Sequence, residues 1–126
     1  RLKYLGMVPN KQVVSDQLEA ILLINPRPTS EVFTRFSFPS KNMEYMVSGT
    51  PMITTDLPGM PEEYRNYVYL FKDETVEGMR KSLEAVLSLS RQELHAFGAK
   101  ARTFVLQQKN NKIQAARVIQ FVSQKE

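Results

Sequence analysis

The sequence predicts an α/β fold in which helices cover both faces of a parallel β-sheet. Short apolar runs typical of buried strands recur along the chain, and a segment of helical character separates each run from the next. The chain has 126 residues, of which 42% are hydrophobic, and this length fits one compact domain. Ligands of such sheets bind outside the carboxyl ends of the strands, so functional residues are expected at that edge.

The first quarter of the chain predicts two strands and a helix. Residues 2–5 alternate like a half-buried strand, and residues 11–19 fit a short helix. The run at 20–24 is apolar throughout, which is typical of a parallel strand buried on both faces. The prolines after it predict a loop that begins at residue 25.

A second short helix is predicted at residues 40–48. Pro39 and Ser40 suit its cap and first turn, while Gly49 and Pro51 suit its end. The free N–H groups of the first turn and the helix dipole attract anions. The sequence therefore predicts a helix terminus that binds a phosphate.

Two charged side chains extend this prediction to a nucleotide. Lys41 adds a positive charge at the helix start, and Glu44, one turn further, can accept hydrogen bonds from two vicinal hydroxyls of a sugar. The loops at 6–10, 25–38 and 56–61 are expected to share the same edge of the sheet. A phosphate next to a ribose is the shape of a nucleotide.

The rest of the chain predicts two more strands followed by helices. The strands are expected at 52–55 and 68–71, and the C-terminal part, residues 74–122, is expected to be helical. Ser90 and Glu93 have the spacing of a capping box. Three helices are predicted in this part, at 74–89, 91–108 and 112–122.

Composition excludes several classes of function. The net charge is +4, but the basic residues are scattered and form no patch of the kind that binds nucleic acid. The longest apolar runs, 20–24 and 67–71, are far shorter than the roughly 20 residues of a membrane span. The chain has no cysteine and no segment resembling a signal peptide, so a cytoplasmic location is expected.

Several common phosphate and metal motifs do not occur in the sequence. The glycines stand at 6, 49, 59, 78 and 98, and this spacing fits neither a dinucleotide-binding loop nor a Walker loop. His95 is the only histidine, and there is no Asp-x-Asp pair for a bridging Mg²⁺. No metal site is predicted, so backbone amides and cationic side chains are expected to neutralise a bound phosphate.

These segments together resemble the nucleotide-sugar-binding C-terminal domain of GT-B glycosyltransferases, of the family 4, or group 1, type found in capsular and exopolysaccharide synthesis. The resemblance implies a Rossmann-like sheet flanked by helices and a donor that is a UDP- or GDP-linked sugar. It is carried by four segments, at 2–9, 20–26, 38–51 and 57–63.

The resemblance also implies roles for individual residues. Glu44 would hold the ribose hydroxyls, and Ser40 and Lys41 would hold the diphosphate. The residues that would flank the nucleobase are Gly6, Met7 and Val8. As the bond between sugar and phosphate breaks, the helix terminus and Lys41 would stabilise the charge growing on the diphosphate.

The sequence departs from the family where the donor sugar would bind. Family members carry a second glutamate eight positions before the ribose-binding one, and Phe36 stands there in this chain. Either Glu31 or Arg27 reaches the sugar, or the sugar is recognised otherwise. The neighbouring candidates are Ser37, Phe38 and Pro39.

The resemblance implies a metal-independent, retaining transferase that moves a hexose to a glycan or lipid-linked acceptor. The chain starts at Arg1 and looks like an N-terminally truncated piece of such an enzyme, without the acceptor domain, so it is expected to be inactive alone. Contact with the inner face of a membrane would involve that other half. Two alternatives stay open: a GT-B nucleotide-sugar epimerase, for which only His95 is available, and a receiver-like module, for which Asp56 follows a strand.

Overall fold

The sheet has three parallel strands, and their order in the sheet is their order in the chain. A computed structural model describes residues 2–124. Ile24 lies opposite Ile53 in one strand pair, and Thr54 lies opposite Leu70 in the other. The predicted α/β class and the parallel sheet are confirmed. The strands are β1 (Leu23–Asn25), β2 (Met52–Thr55) and β3 (Tyr69–Phe71).

Helices connect and follow the strands, close to the predicted positions. Two 3₁₀ helices lie in the connections, Val32–Arg35 after β1 and Glu62–Tyr67 after β2. The side chain of Ser90 accepts from the N–H of Glu93, and the predicted capping box is confirmed. The α-helices are α1 (Asn10–Glu19), α2 (Ser40–Ser48), α3 (Val76–Leu87), α4 (Arg91–Gln108) and α5 (Asn111–Ser123).

The strand predicted at residues 2–5 does not form. Leu2 is 99% exposed and Tyr4 is 92% exposed, and β1 forms its hydrogen-bonded ladder with β2 instead. An alternating pattern gives a strand only where a neighbouring strand supplies hydrogen bonds and a surface to pack on. Within the part of the chain that the structure describes, no strand lies beside residues 2–5.

The strand predicted at 20–24 is shorter and lies further along the chain. Ala20 still belongs to the end of α1, because its N–H donates to the carbonyl of Asp16 at 3.1 Å. The first bond to β2 comes from the N–H of Leu23, which donates to the carbonyl of Pro51 at 2.9 Å. The apolar run therefore includes the end of α1 and the start of β1. Its composition is apolar throughout, so the sequence pattern does not show where the helix ends and the strand begins.

The two faces of β2 carry separate parts of the core. Met52 packs in a cluster with Met46 of α2 and Phe104 of α4, whereas Ile53 packs with Val86 of α3 and with residues of α4. Successive side chains of a strand point to opposite faces of the sheet. Helices therefore cover both faces of the sheet, as the sequence predicts. The loops that follow the strands lie at the carboxyl edge of the sheet.

Candidate functional site

The first turn of α2 leaves backbone donors free. Pro39 occupies the N-cap position and Ser40 is the first helical residue, and no side chain caps the helix. The N–H of Asn42 donates to the carbonyl of Pro39 at 2.9 Å. In residues 2–124, the N–H groups of Ser40 and Lys41 have no acceptor. These two donors and the positive end of the helix dipole can therefore bind an anion.

One side of α2 is buried and another carries the predicted site residues. Asn42 and Met46, four residues apart, are 1% and 0% exposed and attach the helix to the core. Lys41 and Glu44, three residues apart, lie on the same exposed side. Among the described residues neither has a hydrogen-bond or salt-bridge partner, so both charges are available to a ligand.

A pair of asparagines ties the start of α2 to the end of β1. The side-chain amide of Asn25 donates to the Oδ1 of Asn42 at 2.6 Å, and the backbone carbonyl of Asn25 accepts from the Thr54 hydroxyl at 2.8 Å. The Nδ2 of Asn42 is buried and has no acceptor in the described part of the chain. Neither asparagine was predicted from the sequence, because the two side chains are 17 residues apart and meet only in the folded chain.

The loop after β1 is held against β2 and folds back on itself. The N–H of Arg27 donates to the Thr55 hydroxyl at 3.0 Å. Thr34 is fully buried, and its hydroxyl donates to the carbonyl of Glu31 at 2.6 Å. Arg27 is half-buried and Glu31 is exposed. The loop thus has a defined shape, and both candidates for the sugar stand on it.

The end of this loop packs closely on the loop after β2. A β-carbon on Gly59 would lie 2.9 Å from the backbone N and O of Ser37, so only glycine allows this approach. The ring of Phe38 lies 4.5 Å from that of Tyr64, which places Phe38 at the core, while Phe36 is 88% exposed. The loops at 25–38 and 56–61 therefore share the carboxyl edge of the sheet, as predicted.

The predicted nucleobase residues lie in the segment that precedes α1. Gly6 adopts a left-handed conformation with φ of 66°, Met7 is fully exposed, and Val8 is half-buried. A groove of about 700 Å³ runs between α1, α2 and α4 and is lined by Asn10 and Glu44 among others. Glu44 thus faces this groove, whereas residues 6–8, Ser40 and Lys41 do not line it.

Comparison with protein families identifies the family of the chain. The family model of the glycosyl transferases of group 1 matches residues 2–104, which is more than half of the chain. The chain belongs to this family. Comparison with curated proteins gives no significant match, and comparison with solved structures gives none either.

Membership confirms part of what the resemblance implies. Group 1 glycosyltransferases transfer glycosyl groups, so a nucleotide-sugar donor and an acceptor belong to their chemistry. The three-stranded parallel sheet flanked by helices agrees with the Rossmann-like half of a GT-B fold. The match favours a transferase over the epimerase and receiver-like alternatives, and it ends inside α4, so α5 lies beyond it.

Two further features of this glycosyltransferase concern membranes and metals. None of the helices within residues 2–124 has both the length and the apolar character needed to cross a bilayer. In the same residues, His, Asp and Glu side chains form no group of three that could hold a metal ion. The roles assigned to Ser40, Lys41, Glu44 and the residues around them stay predictions.

Proposed function

We propose that this chain binds the UDP- or GDP-linked sugar donor of a metal-independent, retaining glycosyltransferase that moves a hexose to a glycan or lipid-linked acceptor. The observation that carries the proposal is the exposed side of α2. The chain belongs to the group 1 glycosyltransferases, and Lys41 and Glu44 lie about one turn apart on this side of α2. Neither side chain has a hydrogen-bond or salt-bridge partner among the described residues. A cation followed by a carboxylate suits a diphosphate followed by a ribose.

Each part of the donor has a proposed contact. The N–H groups of Ser40 and Lys41 and the Lys41 ammonium bind the diphosphate, because all of them are free donors at the positive end of a helix. The carboxylate of Glu44 accepts hydrogen bonds from both ribose hydroxyls. The nucleobase lies against the backbone of residues 6–8, which precede α1.

The same contacts explain how the protein would assist the reaction. The bond between the anomeric carbon and the diphosphate oxygen breaks, and its electron pair stays on that oxygen. The acceptor hydroxyl oxygen forms the new glycosidic bond, and its proton passes to the departing diphosphate oxygen. Asn42 and Met46 are buried and attach α2 to the core, so the helix terminus is held in place before the reaction. Such preorganised donors would stabilise the charge on the diphosphate and lower the barrier.

The acceptor and the cellular setting belong to the same proposal. We propose that an N-terminal domain of the same protein, outside residues 1–126, binds the acceptor, and that residues 1–126 alone are inactive. The pathway is synthesis of a capsular or extracellular polysaccharide at the cytoplasmic side of the membrane. The resemblance of the α2 segment to that branch of the family supports this part.

Calorimetric titration with UDP, GDP and their sugar conjugates tests the proposal. The unmodified chain is expected to bind one nucleotide series, and Glu44→Ala is expected to weaken it about tenfold, since two hydrogen bonds to a charged acceptor are lost. Glu19→Ala removes an exposed carboxylate from the far end of α1 and serves as the control. Undiminished binding by Glu44→Ala, or no binding by the unmodified chain, would overturn the proposal.

A further inference from the structure

The carboxylate of Glu74 holds the loop that follows β1. The backbone N–H of Thr29 donates to both carboxylate oxygens, at 3.0 and 3.3 Å, and the Thr29 hydroxyl donates to one of them. Glu74 lies between β3 and α3, 45 residues along the chain from Thr29. A single side chain therefore connects the loops of the first and third strands across the carboxyl edge of the sheet.

This contact is one of several that fix the loop. The buried Thr34 hydroxyl donates to the carbonyl of Glu31 at 2.6 Å, and its oxygen lies 3.4 Å from the carbonyl oxygen of Thr29. The N–H of Arg27 donates to the Thr55 hydroxyl of β2. Arg27 and Glu31 stand on either side of Thr29, so the position of Thr29 sets where both of them lie.

The Glu74 carboxylate accepts hydrogen bonds from both donors of Thr29 at once. An ionised carboxylate accepts and does not donate, and hydrogen bonds to a charged acceptor are about twice as strong as neutral ones. A glutamine at 74 would offer one oxygen, and its NH₂ group would face the Thr29 donors if it turned. The charge of Glu74 is thus part of how the loop is held.

We propose that Glu74 is a positioning residue for donor-sugar recognition, acting through Thr29 on the loop that bears Arg27 and Glu31. The inference rests on the proposed function, because it assumes that the diphosphate binds at α2 and that the sugar attached to it lies beside this loop. The proposed diphosphate contacts are Ser40 and Lys41, which form no hydrogen bond or salt bridge with Glu74. Loss of the Glu74 contact therefore changes recognition of the sugar and leaves recognition of the nucleoside diphosphate intact.

The experiment compares dissociation constants for UDP and GDP with those for UDP-glucose, UDP-galactose and GDP-mannose. In Glu74→Gln we expect the constant for the nucleoside diphosphate to stay unchanged, and the constant for the tightest-binding sugar conjugate to rise about tenfold. Thr29→Val, which lacks the hydroxyl, is expected to act in the same direction, and Thr29→Ser, which keeps it, is expected to bind like the unmodified chain.

The control is Glu77→Gln, because Glu77 is also exposed and near the start of α3 but pairs with Arg80 and not with the loop. An equal effect of Glu74→Gln on both ligand classes, or no effect on either, would overturn the positioning role while the nucleotide site stands. No nucleotide binding by the unmodified chain would overturn the proposed function, and the positioning role with it.

Discussion

The carbonyl oxygen of Gly49 lies against the backbone of Gly98, so close that a β-carbon on Gly98 would be 2.0 Å from it. The same β-carbon would be 2.9 Å from the nitrogen of Pro51. Gly98 is buried inside α4, and Gly49 ends α2 with φ of 80°. Two glycines thus let α4 touch the connection between α2 and β2, which fixes how α2 is placed.

Gly98→Ala is expected to lower the free energy of unfolding by about 1 to 3 kcal/mol, the usual cost of overpacking. Alanine favours a helix over glycine by about 1 kcal/mol, but the backbone oxygen of Gly49 cannot move away without shifting the end of α2. Urea unfolding followed by circular dichroism measures the change. Gln107→Ala, at an exposed position of the same helix, is the control, and a Gly98→Ala protein as stable as the unmodified one contradicts the prediction.

Elements with local start and stop signals could be predicted from the sequence. The bounds of α2 follow from Pro39 and Gly49, and those of α4 include the capping box at Ser90, because each signal acts within a few residues. The strand expected at residues 2–5 does not form, because strand formation depends on residues that are distant in the sequence. A strand depends on its neighbours in the sheet, and an alternating pattern carries no information about them.

The exposed side of α2, where the predicted site residues lie, could be predicted from the sequence, but the contacts that support it could not. Lys41 and Glu44 could be chosen because their spacing along a helix places them on one side. The bonds between Asn25 and Asn42, and between Thr29 and Glu74, join residues 17 and 45 positions apart. Side chains of these types form such bonds in many arrangements, so only the fold reveals which ones meet.

Lys109 is the most enclosed cation of the structure for which a salt bridge is described. Its side chain is 5% exposed, it pairs with Glu63, and its ammonium lies 5.3 Å from the ring of Tyr64 and 5.4 Å from that of Phe104. Lys109→Ala is expected to cost about 2 kcal/mol of stability, because the packing of the stem and the cation–π contacts are both lost.

Lys109→Met keeps the apolar stem and is expected to be milder, at under about 1 kcal/mol, since Glu63 is half exposed and can be solvated. Urea unfolding of both variants gives the comparison, with Lys112→Ala on exposed α5 as the control. If the methionine variant is as unstable as the alanine variant, the charge of Lys109 matters more than its stem.

The contribution of Glu93 to the free energy of unfolding is expected to be lost at acidic pH. Hydrogen bonds from the Ser90 hydroxyl, and then from its backbone N–H, hold the pKa of Glu93 below its ordinary value of 4.5. Because the folded pKa is lower than the unfolded one, the stabilisation is complete above pH 4.5 and is lost as the pH falls through the folded pKa.

An NMR titration of the Glu93 side chain measures this directly. Its midpoint is expected below 4.5 in the unmodified chain and closer to 4.5 in Ser90→Ala, which lacks the hydroxyl donor. Ser88→Ala removes a neighbouring hydroxyl that donates to Ala85 and should leave the Glu93 midpoint unchanged. A Glu93 midpoint that does not move in Ser90→Ala contradicts the assigned cause.

Lys41→Ala separates the diphosphate from the rest of the proposed donor. The Lys41 ammonium is exposed and has no described partner, so its removal should leave stability unchanged. It is expected to weaken UDP or GDP about tenfold and to affect the corresponding nucleoside little, because only the phosphates meet this charge. Calorimetry gives both constants, and Lys100→Ala on the exposed side of α4 controls for the change in net charge. Equal weakening of nucleoside and nucleoside diphosphate would place Lys41 away from the phosphates and leave the free N–H groups of α2 as their only proposed contact.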